Sequence, residues 1–127
     1  MIVGINLPNY TDTLGFQLVR ERDGVVLLNA HGTLFGILGP APETSPEDRF
    51  DPFRVGLDHL ALAVANAEWL HELKQQLDTA GVRNNGVQDD TLTGARYIAF
   101  YDPDGIAWEL YAMPVSAAPT NTTGGPA

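Results

Sequence analysis

The chain has 127 residues, enough for one domain with a real core and too few for two independent ones. Sixteen acidic side chains against seven basic ones give a net charge of −9. No basic run is present, so the clustered cations that nucleic acid or an anionic membrane surface requires are missing. The absence of cysteine excludes disulfides, thiolate metal sites and a cysteine nucleophile.

Met1-Ile2-Val3-Gly4 carries no charged leader and no long apolar run, so a cytoplasmic protein without signal peptide or membrane span is expected. Val3–Leu7 reads as a short strand, followed by a single helical turn at Thr11–Leu14. Val19–Glu21 and Val25–Ala30 read as strands around the Arg22-Asp23-Gly24 hairpin turn. His31-Gly32 turns the chain into a further strand, Thr33–Leu38. Residues 39–56 are rich in proline and acid and form a linker. Leu57–Ala65 is then a strand, with Asn66 placed to cap the helix that follows. Trp69, Leu70, Leu73, Leu77 and Ala80 make an apolar stripe at helical spacing, while Glu68, Glu72, Lys74 and Gln75 face water. Val82–Val87 and Ala95–Tyr101 are strand candidates. The Asp102-Pro103-Asp104-Gly105 turn leads into a last strand, Ile106–Met113. The tail, 115–127, is built from Ala, Pro, Thr, Gly and Asn and is expected to be disordered.

The chain repeats itself. Asp12-Thr13-Leu14-Gly15-Phe16 recurs as Asp78-Thr79-Ala80-Gly81-Val82, a helix end with a glycine just beyond it. Val3–Leu7 corresponds to Leu60–Val64, and Gly32–Leu38 to Gly105–Tyr111. Within 1–114 this gives one domain of two units: module one at 1–38, the linker at 39–56, module two at 57–114. The copies differ in one interval. Twelve positions separate Asn66 from Asp78, but three separate Asn9 from Asp12. The first helix is therefore expected to be reduced to a turn. Residues 8–14 reach only about 23 Å when fully extended, whereas a parallel return must recover a strand of about 20 Å and cross its neighbours. The first strand is thus expected to pair with a partner subunit, as an exchanged strand in a homodimer, or to lie displaced.

Strand alternation places His59, Ala61 and Ala63 on one face of the first strand of module two. The same rule groups Ala107, Glu109 and Tyr111, and groups Tyr97, Ala99 and Tyr101, leaving Ile98, Phe100, Trp108 and Leu110 for the core. A cavity lined by His59, Glu109 and these tyrosines around small alanines suits a small molecule. His59 and Glu109 are good ligands for a hard or borderline divalent ion, and equally a hydrogen-bonded pair that needs no metal. The acidic balance, with Tyr97, Tyr101 and Tyr111, favours a cationic or aromatic guest. His31 reads as a turn residue and His71 as a solvated one.

Leu57–Val64 and Asp102–Tyr111, at their distance in the chain, resemble the vicinal oxygen chelate superfamily, which includes glyoxalase I, the extradiol dioxygenases and the fosfomycin- and bleomycin-resistance proteins. The resemblance implies an α+β fold of two βαβββ modules whose curled mixed sheets enclose a cavity, with the first helix shortened. It implies two readings of function. One is a lyase or dioxygenase in which His59 and Glu109 hold Ni, Zn, Mn or Fe and Glu109 also moves a proton. The other is a metal-free, drug-sequestering binder whose ligand lies against Tyr97, Ala99, Tyr101, Tyr111 and Ala61. The remaining metal positions of the family fall on Ile2 and Gly36, which offer no donor, so the ligand set is incomplete.

Overall fold

The structure, a computed structural model, describes residues 5–114. The expected disordered tail and the start of the expected first strand, residues 1–4, lie outside the described residues. The architecture is α+β, with two sheets and one long helix.

The first sheet is an antiparallel meander of β1 (Gln17–Arg22), β2 (Val25–Ala30) and β3 (Thr33–Leu38), in the order β1-β2-β3. Arg22 pairs directly with Val25, and Gly24 (φ 77) supplies the left-handed residue of the intervening turn. A bulge at Val19 shifts the register between Leu18 and Arg20. The second sheet runs β4-β7-β6-β5, from β4 (Leu60–Ala63), β5 (Gln88–Asp89), β6 (Arg96–Tyr101) and β7 (Ala107–Ala112). β4 lies parallel to β7, joined to the rest by helix α1 (Glu68–Thr79). Asn66 caps α1 as expected, its Oδ1 accepting from the Trp69 amide at 3.0 Å.

One core serves both sheets. Leu70, Leu73 and Leu77 of α1 are fully buried, and α1 packs on β6 and β7. Each such leucine contributes about 1.5–3 kcal/mol through apolar burial. Val26, Leu28 and Ala30 bring the first sheet to the same core, which centres on Trp108. Phe35 meets the Trp108 ring at 5.0 Å and Phe16 meets it at 5.9 Å. His31 sits in a turn with φ 54, and its ring packs 4.3 Å from that of Trp69. Its burial against these aromatics holds the imidazole pKa below its ordinary value.

The helix of the first repeat is indeed a remnant: a five-residue π-turn at Asn9–Thr13, closed by the Leu14 amide on the Asn9 carbonyl at 3.0 Å. The shared helix ending is also present, with Gly15 at φ 75 and Gly81 at φ 74. Three expectations need correction. Strand character does not reach Leu7: Ile5 and Asn6 form no strand and Leu7 already belongs to the helical segment. Asn6 Oδ1 caps the Asn9 amide, and Pro8 (φ −57) presets the helical dihedral. The strand expected at Leu57–Ala65 is shorter, Leu60–Ala63, so His59 stands immediately before it. Val82–Val87 is not a continuous strand; Asn84 makes an isolated bridge to Phe100, and β5 comes later. Asparagine side chains explain that break. Asn85 Oδ1 takes the Ala99 amide at 2.8 Å, and Asn84 Oδ1 takes the Gly86 amide at 3.0 Å, so side chains replace backbone acceptors of a ladder.

Among the described residues β3 pairs on one side only, with β2. Its repeat partner β7 lies between β4 and β6. Leu34 and Leu38 of β3 are 65% and 71% exposed.

Candidate functional site

Register fixes the site. Glu109, in the middle of β7, pairs with Ala61 on one side and Ala99 on the other. Tyr111 pairs with Ala63 and Tyr97, and Ala107 with Tyr101. The face expected from strand alternation is therefore the face observed. Flanking alanines leave the Glu109 carboxyl open rather than packed, with 31% of its side chain exposed. This face of the sheet opens to solvent.

His59 Nε2 stands 3.7 Å from Glu109 Oε2. Its other nitrogen, Nδ1, lies 2.7 Å from Asp58 Oδ2. With Nδ1–H donated to Asp58, Nε2 is the ring nitrogen left facing Glu109. A carboxylate behind a histidine in this way fixes the tautomer and the orientation of the ring. Asp58 was not singled out in the sequence, although an acid adjacent to a strand-edge histidine was the available signal.

The tyrosines divide between two cavities. One, of about 380 Å³, is lined by Asp58, His59, Arg83, Ala99, Tyr101 and Glu109, with Asn84 and Asn85 at its side. The other, of about 290 Å³, is lined by Ala61, Tyr97, Glu109 and Tyr111. Glu109 belongs to both. Arg83, Asn84 and Asn85 join the site because the asparagine-rich segment folds against β6, which a strand reading of that stretch concealed. Gly36 lines neither; it borders a third cavity of about 660 Å³ beside the open edge of β3, with Leu60, Asp102 and Trp108.

Asp102, read from the sequence as a turn former, has a larger structural part. Its Oδ1 accepts the amides of Asp104 and Ile106, both at 2.9 Å. Its Oδ2 accepts Tyr10 Oη–H at 2.8 Å and Trp108 Nε1–H at 3.1 Å. Tyr10 thereby ties the helical remnant to the base of β7. Burial, with the neighbouring Asp102 carboxyl second, pushes the Tyr10 phenol far above its ordinary range, so it remains a donor.

Residues 7–110 match the sequence model of the Glyoxalase/Bleomycin resistance protein/Dioxygenase superfamily. The chain belongs to that superfamily. A relative is the uncharacterized protein YwkD of Bacillus subtilis (strain 168), 34% identical over 108 residues, which are 80% of this chain and 81% of YwkD. The glyoxylase/bleomycin resistance protein/dioxygenase domain from Frankia sp. EAN1pec superposes with a TM-score of 0.70 at 25% identity, covering 87% of each chain. Lactoylglutathione lyase from Agrobacterium tumefaciens shares the fold, with a TM-score of 0.60 at 17% identity over 84% of this chain and 81% of that one. The glyoxalase fold accounts for the parallel β4–β7 pair and the helix that crosses behind it. No helix of the described residues is long and apolar enough to cross a membrane.

Whether a metal fits this site is a matter of donors. His59 Nε2 and the Glu109 carboxyl are close enough to share one ion, while Asp58 is engaged on the far side of the ring. Among the described residues no group of three or more His, Cys, Asp or Glu side chains is placed to hold a metal. Two donors do not complete a tetrahedral or octahedral shell.

Proposed function

We propose that the cavity beside His59 binds a small organic molecule and that His59 and Glu109 move a proton on it. The reading rests on one observation: an imidazole oriented by Asp58 faces a carboxyl 3.7 Å away at the wall of an open cavity of about 380 Å³. A base and an acid at that separation bracket a ligand hydrogen or hydroxyl, and such groups contribute about 10²–10⁴-fold in rate. Asp58 supports the imidazolium that forms when His59 takes the proton. In this reading Glu109 is catalytic, and Ala99 and Tyr101 shape the ligand pocket. Tyr97, Tyr111 and Ala61 act from the adjoining cavity behind Glu109.

A Ni, Zn, Mn or Fe ion would use His59 and Glu109 as its protein donors in this chain, and no step here is routed through it. Further donors would come from a second copy of the chain, which makes a homodimer part of this reading. The incomplete donor set favours a second reading, a metal-free binder that sequesters its ligand without changing it.

Ligand binding by calorimetry, together with isotope exchange at ligand C–H positions in deuterated buffer, separates the readings. Exchange that is lost in both His59→Ala and Glu109→Gln supports proton transfer. Binding without exchange supports the sequestering reading. Binding that is indifferent to both substitutions removes the cavity from consideration. Elemental analysis of untagged protein gives the metal content directly.

A further inference from the structure

We infer that the ligand of the His59 cavity carries an anionic oxygen group, a carboxylate or a phosphate monoester, and that Arg83 anchors it. The inference deepens the proposal above and rests on its identification of the cavity as the binding site.

Arg83 is the single lysine or arginine among the residues lining that cavity. Three other cations of this acid-rich chain have partners. Lys74 pairs with Asp78 at 2.8 Å, Arg96 pairs with Asp89 at 3.1 Å, and Arg49 donates to the Pro46 and Asp48 carbonyls. Arg83 makes no ion pair among the described residues. Its guanidinium instead lies over the Tyr101 ring, 5.3 Å from the centroid. A cation–π contact of this kind does not consume the guanidinium N–H donors, the fork that matches a carboxylate or phosphate in bidentate fashion.

The same contact argues against a cationic guest, which the tyrosines and the acidic composition had suggested. A ring face that would attract an ammonium ligand at Tyr101 already carries a cation of the protein itself. The charges also orient the guest. Tyr101 pairs with Ala107 and Ala99 pairs with Glu109, so the backbone positions of Glu109 and of Tyr101, whose ring carries Arg83, differ by one two-residue repeat, roughly 7 Å along the strands. Asp58 and Glu109 place two carboxyl groups at the His59 end, and Arg83 is the one Lys or Arg of the lining. The anionic group therefore settles at Arg83, and the far end of the ligand, about one aromatic ring away, lies against His59 and Glu109.

Calorimetry with benzoate, phenyl phosphate, neutral benzamide and benzyltrimethylammonium tests this, using the full chain and its Arg83→Gln, Arg83→Lys and His59→Ala variants at fixed ionic strength. Arg83 is exposed, and far-UV circular dichroism verifies that each variant is folded. Benzoate or phenyl phosphate should bind more tightly than benzamide. Arg83→Gln should weaken the anions by about tenfold or more, leave benzamide unchanged, and be partly rescued by Arg83→Lys. The stronger of the two anions names the group. Anion binding that is equal in wild type and Arg83→Gln overturns the inference, as does a preference for benzyltrimethylammonium, or binding by neither anion. Benzamide and anion binding that both need His59 but ignore Arg83 would leave the cavity as the site and remove the anchor. Anion binding that needs Arg83 but ignores His59 would keep the anchor and remove the proposed catalytic pair.

Discussion

Gly15 and Gly81 adopt the same left-handed conformation, φ 75 and φ 74, at the ends of two helices that differ more than twofold in length. The repeat has kept its helix stop and lost most of the helix. At Gly81 a Cβ would meet nothing within 4 Å, and at Gly15 only the Trp69 ring at 3.8 Å. The cost of alanine is therefore conformational at both, about 1–2 kcal/mol each. Urea unfolding of Gly15→Ala and Gly81→Ala should show similar losses. A neutral Gly15→Ala would mean that the remnant turn contributes nothing to the fold.

Tyr10→Phe should cost about 1.5–3 kcal/mol, because it removes one of the two side-chain donors on the buried Asp102 carboxyl and leaves that oxygen to Trp108 alone. The ring packing against Phe16 and Trp108 is retained in phenylalanine. A denaturation midpoint unchanged from wild type would show the hydrogen bond to be dispensable.

Glu109→Gln keeps volume and should leave the fold intact while removing ion uptake, measured by titration with Ni, Zn, Mn and Fe salts. Glu109→Leu in metal-free protein should lie within about 0.5 kcal/mol of wild type or be stabilising, since a partly exposed carboxyl is exchanged for an apolar group between two alanines. A large loss of stability in the leucine variant would show that the carboxyl holds the sheet together.

His31 should make the protein less stable in mild acid. Its folded pKa is depressed below the ordinary 6.5 by burial against Phe16 and Trp69, so the unfolded chain takes up the proton first. Stability from this group is full above 6.5 and declines as the pH falls from 6.5 to the folded value. Its partial exposure keeps the effect small. His31→Asn tolerates the positive φ of this turn and removes the titration. Thermal melts across that interval should show a slope in wild type that is flatter in the variant. Equal slopes would assign acid sensitivity elsewhere.

Periodicity made the α1 stripe, the hairpin and the two faces of β6 and β7 legible, because burial there follows the periods of helix and strand without interruption. It failed at Val82–Val87, where asparagine side chains displace backbone hydrogen bonds, a competition that apolar spacing does not register. The His59–Glu109 pairing was visible because both residues interrupt apolar strands. Asp58 and Arg83 were not, since an exposed charge beside a strand looks like an ordinary solvated residue until the fold brings it to the cavity wall. The part of Asp102 depends on Tyr10, a residue distant in sequence, so local turn chemistry described only half of its contacts.

Among the described residues β3 is paired on one flank only, and its other flank bears on how the protein behaves in a concentrated solution. The strand reads Thr-Leu-Phe-Gly-Ile-Leu, with no lysine, no proline and no charge to discourage another backbone from adding to it. Gatekeeping falls instead to long-range repulsion from the net charge of −9. Colloidal stability should therefore be a property of the buffer. Light scattering should rise as salt screens the charge or as acid neutralises the carboxylates, and a lysine placed at Leu34 should suppress that rise without touching the core.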